Sequence, residues 1–320
     1  MHSMLLATQL AMLAGGPSPA ELKPVIERGL AYIEREGLKW KDERDCASCH
    51  HVPMMLWTLG AAKALGYTVN DQVVADAAAW TFREDNASRV LYPPETPPEK
   101  RAYTIAATFS VLAFPTPPTT DAAQLANMGR FTSFLAEKQS ADGSWPASGR
   151  LPVNAGVESA TILNRLALAA PWVANGQASV DKANAWLAAQ PPSDDFQVRN
   201  LRLLLAAREH ANDAALVPLI DRVCERQNAD GGWSQLPDMP SDAFATGQAI
   251  LALASARCGY NYPATARGLA FLQTTQREDG AWAMASRKVE GAAEVKNLDP
   301  ITYAGTAWAM LGLMEAVAKP

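Results

Sequence analysis

The segment from Cys46 to His51 contains the residues best suited to chemistry, in the order Cys46-Ala47-Ser48-Cys49-His50-His51. Its C-x-x-C-H spacing is typical of covalent c-type haem attachment. Two thiols at this spacing add to the two vinyl groups of haem, and the histidine that follows binds the iron from one side. The sequence therefore predicts that Cys46 and Cys49 attach a haem c and that His50 is an axial iron ligand.

Two other chemistries use the same segment. A catalytic zinc site needs three protein ligands and an open position, and Cys46, Cys49 and either His50 or His51 supply three. A thiol redox pair needs no histidine and commonly lies in a βαβ fold, which this sequence does not indicate. Zinc is therefore the alternative to haem, and a thiol redox pair is less favoured.

The second axial position of the iron has two weaker candidates, His51 and Met239. Methionine and histidine both serve as haem ligands. Met239 lies in a loop, 236–240, that we expect at the same end of the fold as His50. Either side chain is also compatible with ordinary packing. A closed position would suit electron transfer and an open one a small ligand, so an electron-transfer partner is expected only in the first case.

Three copies of one seven-residue pattern, Q-x-x-D-G-x-W, indicate how the chain is built. They begin at Gln139, Gln227 and Gln276, and weaker copies are expected at 33–37, 82–86 and 190–194. Each follows an apolar helical stretch, which the Asp-Gly pair ends because glycine adopts the left-handed conformation of a helix C-cap. The tryptophan can bury its ring over the turn while the glutamine bonds loop backbone. We therefore expect these tryptophans to be structural.

A second pattern, T-x4-L-[A/G]-L, follows each turn, at Thr161, Thr246 and Thr306. These stretches are apolar on all sides, so they are predicted to form buried helices. More charged helices are expected outside them, near 21–35, 71–82, 121–138, 178–189, 214–227 and 262–275. The sequence thus predicts an all-α fold of about six αα-hairpins, each pairing an outer helix with an inner one.

The Q-x-x-D-G-x-W copies resemble the QW motifs of the terpene cyclase and prenyltransferase superfamily, which includes the squalene-hopene cyclases. The resemblance covers residues 20–316. It implies an (α/α)6 toroid in which residues 20–320 form a single domain around an apolar cavity. It also implies an apolar, isoprenoid-like small molecule as the ligand. The resemblance implies that some inner-helix aromatic residues face such a cavity, while helix packing is the alternative for each: Trp57, Tyr103, Phe109, Phe196, Phe244, Tyr303 and Trp308.

The catalytic motifs that the resemblance would bring are missing. The sequence contains neither D-x-D-D nor D-D-x-x-D. Asp194 and Asp195 are the nearest acidic pair and weak catalytic candidates, although a pair before an inner helix is also suited to an N-cap. Ordinary triterpene cyclisation is therefore not expected. A haem oxidoreductase, a cyclase-like or prenyltransferase-like enzyme and a non-catalytic binding toroid all remain open.

Charge and the chain ends limit the partners. The net charge of −5 argues against a nucleic acid partner. The apolar run from Met4 to Leu13, followed by small residues, predicts a signal within an N-terminal segment 1–19 outside the toroid, and hence an exported, periplasmic or extracellular protein. Membrane contact is expected to be peripheral at most, since no apolar run reaches 18 residues. Cys224 and Cys258 are predicted to be free, about 20 Å apart at opposite ends of a helix pair.

Overall fold

A computed structural model describes residues 15–44, 50–91, 104–115, 117–147, 156–209, 211–287 and 296–318. Within these ranges the chain is almost entirely helical, with one pair of two-residue strands. In chain order the elements are α1 (Pro19–Glu43), α2 (His51–Ala64), α3 (Asp71–Thr81), α4 (Glu84–Leu91), α5 (Ile105–Leu112), α6 (Ala122–Glu137), α7 (Val157–Leu168), α8 (Gln177–Ala188), α9 (Phe196–Arg208), α10 (Asp213–Cys224), β1 (Trp233–Ser234), β2 (Ser241–Asp242), α11 (Ala243–Ser255), α12 (Pro263–Thr275) and α13 (Asp299–Val317).

Six helices form the closed inner ring of a toroid: α2, α5, α7, α9, α11 and α13. Each packs against the next one in the chain, and α13 packs against α2 to close the ring. The outer helices α1, α3, α6, α8, α10 and α12 each pack on the inner helix that follows them or precedes them. The prediction of an all-α (α/α)6 toroid is confirmed, and the short helix α4 is an addition to the six hairpins.

The outer layer of the toroid is closed by contacts between the turn that begins at Gln276 and helix α1. The Gln276 side chain donates from Nε2 to the carbonyl of Val25, at 2.9 Å. Helix α1 also packs between α13 and α2. Its N-terminus is fixed by a capping box in which Ser18 and Glu21 bond each other's backbone N–H groups. The first and last hairpins therefore behave as sequence neighbours do elsewhere in the ring.

The three Q-x-x-D-G-x-W turns share one hydrogen-bond pattern. Each glycine has a positive φ, between +88° and +96°, which glycine adopts without strain. Each tryptophan indole donates to a carbonyl at the end of the preceding outer helix, over 2.7–2.9 Å. Each glutamine donates both to the carbonyl of its own turn glycine and to the next outer helix. The expected structural role is confirmed for Trp145, Trp233 and Trp282, which are buried.

The threonine of the second pattern completes the turn. The backbone N–H groups of the three tryptophans donate to the hydroxyls of Thr161, Thr246 and Thr306, over 2.9–3.3 Å. All three threonines are fully buried in the inner helices. The two sequence patterns therefore belong to one unit: a hydrogen bond joins each turn to its inner helix, although the two residues lie 16, 13 and 24 positions apart in the three copies.

Helices α11 and α13 approach each other more closely than any other described pair. A Cβ atom added at Gly247 would lie 2.4 Å from the backbone nitrogen of Ala309, and one added at Gly312 would lie 2.5 Å from the carbonyl oxygen of Gly247. Only glycine fits at these two positions, because the obstacle in each case is backbone. The last two inner helices therefore form the most tightly packed part of the ring.

The weaker copies have different outcomes. The copy at 190–194 follows the end of α8 at Ala188, as expected, whereas the copy at 33–37 is not a turn. Residues 33–37 lie inside α1, which continues to Glu43, and Gly37 packs against Met55 and Tyr303 within that helix. At 82–86 a helix does end: α3 stops at Thr81, and α4 begins at Glu84. The expected C-cap role of the Asp-Gly pair is wrong, because in the three full copies the outer helices are capped by Lys138, Glu225 and Gln276, and the glycine lies further along, in the turn itself.

The predicted separation of Cys224 and Cys258 is wrong, although both thiols are free as expected. Cys224 Sγ lies 4.0 Å from the Tyr262 hydroxyl. After burial, the nearby Cys224 thiol is the next cause that raises the pKa of Cys258, to about 11. The reason is that Gln227 donates to the Ala264 carbonyl and so holds the start of α12 beside the end of α10.

Aromatic side chains of neighbouring inner helices contact one another. Trp308 meets Trp57 edge-on at 5.2 Å between ring centroids and Phe244 at 6.2 Å, while Trp57 stacks on Phe109 at 5.9 Å. These rings are mostly buried, so inter-helix packing accounts for them; Tyr103 lies outside the described residues. In the part of the chain that the structure describes, no helix combines the length and apolar character needed to cross a membrane.

Candidate functional site

His50 stands where the chain enters the inner ring. It occupies the N-cap position of α2 and is only 3% exposed. A ring N–H of His50 donates to the backbone carbonyl of Pro300 in the first turn of α13. Burial lowers the pKa of His50 to about 4, so the imidazole is neutral near pH 7. A neutral imidazole has one N–H, so the bond to Pro300 leaves the lone pair on the other ring nitrogen.

His51 is held between two aromatic rings. It stacks on Trp40 of α1 at 3.8 Å between centroids and 9° between planes, and on Tyr303 of α13 at 4.2 Å and 25°. Burial, followed by the positive charges of His50 and Arg44, lowers its pKa to about 2. Its Nδ1 atom makes no hydrogen bond to any described residue. The stack fixes the plane of the imidazole and joins α1, α2 and α13.

The Tyr303 hydroxyl completes this arrangement from α13. It lies 3.0 Å from the carbonyl oxygen of Ile33 and 3.1 Å from that of His51, and the two acceptors share its one hydrogen. The side chain is 1% exposed, and burial raises its pKa well above the usual range. Tyr303 therefore acts as a neutral donor that holds the start of α2 against α1.

The two cysteines of the motif, Cys46 and Cys49, lie outside the described residues. The residues that flank them are described: Arg44 ends α1 and its guanidinium lies 5.1 Å from the centre of the Trp40 ring. Searched over the described residues alone, the structure contains no group of three His, Cys, Asp or Glu side chains that could hold a metal ion. The predicted haem and zinc ligand sets both include the two cysteines, so both remain predictions.

Met239, the other candidate for the second axial position, lies in the turn between the two strands. Its backbone N–H donates to the Leu236 carbonyl at 3.1 Å, and the residue is half-buried. This turn precedes an inner helix, α11, just as the segment before His50 precedes α2. Met239 and His50 therefore both lie near the start of an inner helix. The two helices, α11 and α2, are different neighbours of α13 in the ring.

The acidic pair near residue 194 has a structural explanation. Asp195 is the N-cap of α9 and accepts hydrogen bonds from the backbone N–H groups of Gln197 and Val198, at 2.9 and 3.0 Å. Asp194 is exposed, and among the described residues its ionic contacts are to three arginines rather than to His50 or His51. The N-cap interpretation accounts for Asp195.

A buried acid that the motif search did not find stands at the start of α11. Asp242 is 5% exposed; its Oδ1 accepts the N–H of Ala245 at 2.9 Å, and its Oδ2 accepts from Gln235 Nε2 at 2.6 Å. Gln235 Oε1 in turn accepts from Arg287 Nε at 2.9 Å, and the Arg287 guanidinium lies 4.9 Å from the centre of the Phe196 ring. Burial raises the pKa of Asp242 to about 6.

This shift predicts a specific pH dependence of stability. A carboxyl group whose pKa is raised on folding favours the folded state below its unfolded pKa of 3.8, and that contribution is lost as the pH rises through about 6. The loss amounts to at most about 3 kcal/mol. We therefore expect Asp242→Asn, which keeps the capping oxygen, to gain stability relative to the wild type by up to this amount between about pH 4 and about pH 7.

Urea unfolding of both proteins across this pH range measures the difference. Asp195→Asn is the matched control, because Asp195 is also a helix N-cap but is exposed. Its difference from the wild type should stay nearly constant over the same pH range. Equal pH profiles for the two variants would contradict the assignment of the raised pKa to Asp242.

Comparison with known proteins agrees with this architecture. Residues 188–319 match the family described as the squalene-hopene cyclase C-terminal domain. A squalene–hopene cyclase from Zymomonas mobilis subsp. mobilis is 29% identical over 138 residues, which cover 40% of this chain and 20% of that protein. The chain therefore spans about a fifth of the length of the curated relative that it matches.

Solved structures extend the similarity to almost the whole chain. Two structures of variants of the type II terpene cyclase MstE from Scytonema, both in complex with the substrate geranylgeranyl dihydroxybenzoate, have a TM-score of 0.59. They are 13% and 14% identical and cover 93% of this chain and 97–98% of theirs. A third, ligand-free variant gives the same TM-score at 13% identity. This chain thus has the α/α toroid fold of the terpene cyclases, and its residues 188–319 match the squalene-hopene cyclase C-terminal domain.

Proposed function

We propose that this protein is a terpene cyclase-like toroid that carries one covalently attached haem c and takes part in redox or electron-transfer chemistry. Cys46 and Cys49 would attach the haem, each thiol adding across one vinyl group so that a C–S bond forms and the thiol hydrogen goes to the vinyl carbon. His50 would be an axial ligand. The observation that supports this proposal most is His50, which the C-x-x-C-H motif selects and which the fold keeps buried, neutral and hydrogen bonded.

The chemistry of His50 fits an iron ligand. A histidine binds metal only when neutral, and burial lowers the pKa of His50 well below 7. Metal-binding histidines commonly donate their other ring N–H to a carboxylate or backbone carbonyl, which fixes the tautomer and the ring orientation. The Pro300 carbonyl supplies this acceptor. Bound haem iron would exchange single electrons by alternating between its ferric and ferrous states.

Other residues would support the haem around this ligand. Arg44, next to the Cys46–Cys49 segment, would pair with a haem propionate, since guanidinium groups bind carboxylates well. His51, stacked between Trp40 and Tyr303, would hold the start of α2 in place. His51 and Met239 remain the candidates for the second axial position, and the geometry favours a supporting role for His51.

The remaining parts of the proposal concern ligand, partner and compartment. The terpene cyclases with a similar structure bind geranylgeranyl dihydroxybenzoate, and Trp57, Phe244 and Trp308 of this chain form an aromatic cluster on its inner helices. We therefore propose an apolar, isoprenoid-like ligand inside the ring. An electron-transfer partner would dock near the haem, and the protein would be exported to the periplasm or the extracellular space, as the apolar run from Met4 to Leu13 indicates.

Expression with a c-type haem maturation system tests the central claim. We expect the denatured protein to retain haem and to give a pyridine haemochrome spectrum of the c type, at one haem per chain. Cys46→Ala combined with Cys49→Ala should lose this haem completely, because no thioether bond can form. The matched control is Cys224→Ala combined with Cys258→Ala, which removes the same number of thiols elsewhere and should retain the haem.

Two results would overturn the proposal. One is a wild-type protein that, after maturation, contains stoichiometric zinc and shows no Soret band, which would support a zinc-dependent cyclase-like or prenyltransferase-like enzyme instead. The other is a wild-type protein that retains no haem after denaturation and contains no metal in its native state, which would support a non-catalytic binding toroid instead.

A further inference from the structure

A cleft at the start of α9 collects arginine side chains on the outside of the inner ring. It is bounded by the segment 190–193, by Arg199 and Arg202 of α9, and by Leu219 and Arg222 of α10, and we call it the arginine cleft. Its volume is about 170 Å³, far more than one water molecule needs. Pro191, Pro192, Val198 and Leu219 make the rest of its wall apolar.

Positive charge in and around the cleft exceeds the negative charge that faces it. Arg199, Arg222 and Arg226 share one carboxylate, that of Asp194, at 3.9, 3.7 and 3.4 Å. This carboxylate is 83% exposed, so water screens it. Asp195 adds a second negative charge nearby, but its Oδ1 already accepts two backbone N–H groups as the cap of α9.

Arg202 belongs to a separate ion pair. Its Nε donates to Glu158 at 2.6 Å, and its Nη2 donates to the carbonyl of Leu187 at 3.0 Å. Glu158 therefore neutralises Arg202 and leaves the excess charge on the other arginines of the cleft. The same pair joins α7 to α9 and keeps this wall of the cleft rigid.

Arg199 is the unusual member of the group. Its side chain is only 9% exposed, and its buried Nε atom makes no hydrogen bond to any described residue. Burial and the charges of Arg226 and Arg222 lower its pKa, although a guanidinium group still stays charged. A buried donor without an acceptor is costly. Arg199 also lines the cleft, so an anion bound there would offset the cost of burying its charge.

Backbone carbonyls hold two of the arginine side chains in place. Arg199 Nη1 donates to the carbonyl of Asp194 at 2.7 Å, and Arg222 Nη2 donates to the carbonyl of Ser193 at 2.7 Å. Each of these bonds uses one of the five N–H groups of a guanidinium and fixes the plane of the others. Planar guanidinium groups match the oxygen pairs of phosphate, which accepts two parallel N–H bonds from each.

We propose that the arginine cleft binds a phosphate group, with Arg199 and Arg222 as its main ligands. The apolar wall formed by the prolines, Val198 and Leu219 would contact whatever group the phosphate carries. Inorganic phosphate and the phosphate of a lipid headgroup offer the same oxygens to the cleft, so the two sources are tested separately. This proposal is independent of the haem, because none of its residues lies in or next to the C-x-x-C-H segment.

Isothermal titration of the full chain with inorganic phosphate, and co-sedimentation with vesicles that contain phosphatidic acid, test the two sources. We expect binding to at least one probe, weakened by added salt. Arg199→Gln and Arg222→Gln should each lower the affinity for that probe about 10- to 100-fold, as the loss of one charged hydrogen-bond pair implies. Arg199→Lys should also bind more weakly, since lysine cannot donate in the paired geometry.

Arg208→Gln is the matched control, because Arg208 is exposed at the other end of α9 and lies 3.8 Å from Glu315. This variant should bind phosphate like the wild type. Circular dichroism establishes that each variant is folded. If Arg199→Gln does not fold, Arg222→Gln decides the question. Failure of the wild type to bind either probe would overturn the proposal, and so would unchanged binding by the folded glutamine variants.

Discussion

Replacement of Trp282 by alanine is expected to lower the free energy of unfolding by about 3–5 kcal/mol. The Trp282 side chain is 1% exposed and lies over the last turn of the repeat. Its indole N–H donates to the Leu272 carbonyl at 2.9 Å, and its backbone N–H donates to Thr306 at 3.3 Å. Truncation would therefore open a cavity between α12 and α13 and leave a buried carbonyl without its donor.

The position of this turn increases the expected effect. The same turn holds Gln276, which bonds the Val25 carbonyl of α1, and Gly280, where an added Cβ would lie 2.2 Å from the Arg28 carbonyl oxygen. It is thus the contact through which the last hairpin closes on the first. A loosened turn at 276–282 would weaken the closure of the ring as well as its own hairpin.

Trp282→Phe separates the two contributions to this loss. Phenylalanine keeps most of the buried ring but lacks the indole donor, so we expect a smaller loss of about 1–2 kcal/mol. Urea denaturation followed by circular dichroism measures both variants. A loss below about 1 kcal/mol for Trp282→Ala, or an equal loss for the two variants, would show that the tryptophan does not hold the turn together.

The repeat could be found in the sequence because its interactions are local. The glycine with positive φ, the aspartate that accepts a backbone N–H two residues further on and the buried tryptophan lie within seven residues, and each copy repeats the same bonds. The weaker copy at 33–37 failed because this local set is incomplete there, and Gly37 is a packing residue inside α1. The copies at 82–86 and 190–194 also lack the glycine but follow the ends of α3 and α8, so the glycine shapes the turn and does not determine where the helix ends.

The buried acid at Asp242 shows why part of a site cannot be read from a motif. Its partners are Gln235, seven residues earlier, and Arg287, which reaches Gln235 from a segment fifty-two residues further along the chain. No spacing rule connects these three residues. Only the pairing of β1 with β2 and the closure of the ring bring them together, so the raised pKa of Asp242 arises from tertiary structure.

The C-x-x-C-H segment differs from Asp242, because the motif predicts its chemistry. The residues that surround the segment in the fold could not be predicted from the motif. The motif selects His50, but the Pro300 carbonyl that orients His50 comes from the far end of the chain. In the same way His51 looked like a second ligand only because it follows His50. Its stack between Trp40 and Tyr303 could not be foreseen, since those residues belong to the first and last helices.

This difference between adjacent histidines leads to the second large expected effect, which rests on the proposed haem. His50→Gly should remove the axial nitrogen ligand and change the Soret spectrum of the matured protein, and added imidazole should restore it by occupying the same position. His51→Ala should leave the Soret spectrum unchanged. It should instead destabilise the fold by about 1–3 kcal/mol, because two aromatic stacks are lost.

Absorption spectra with and without imidazole, together with urea denaturation of the same samples, distinguish the two roles. If His51→Ala changes the spectrum and His50→Gly does not, the axial ligand has been assigned to the wrong histidine. If both change it and imidazole restores both, the iron is held between the two rings. That outcome is hard to reconcile with the structure, because Trp40 and Tyr303 cover both faces of the His51 ring and the adjacent rings lie 4.3 Å apart.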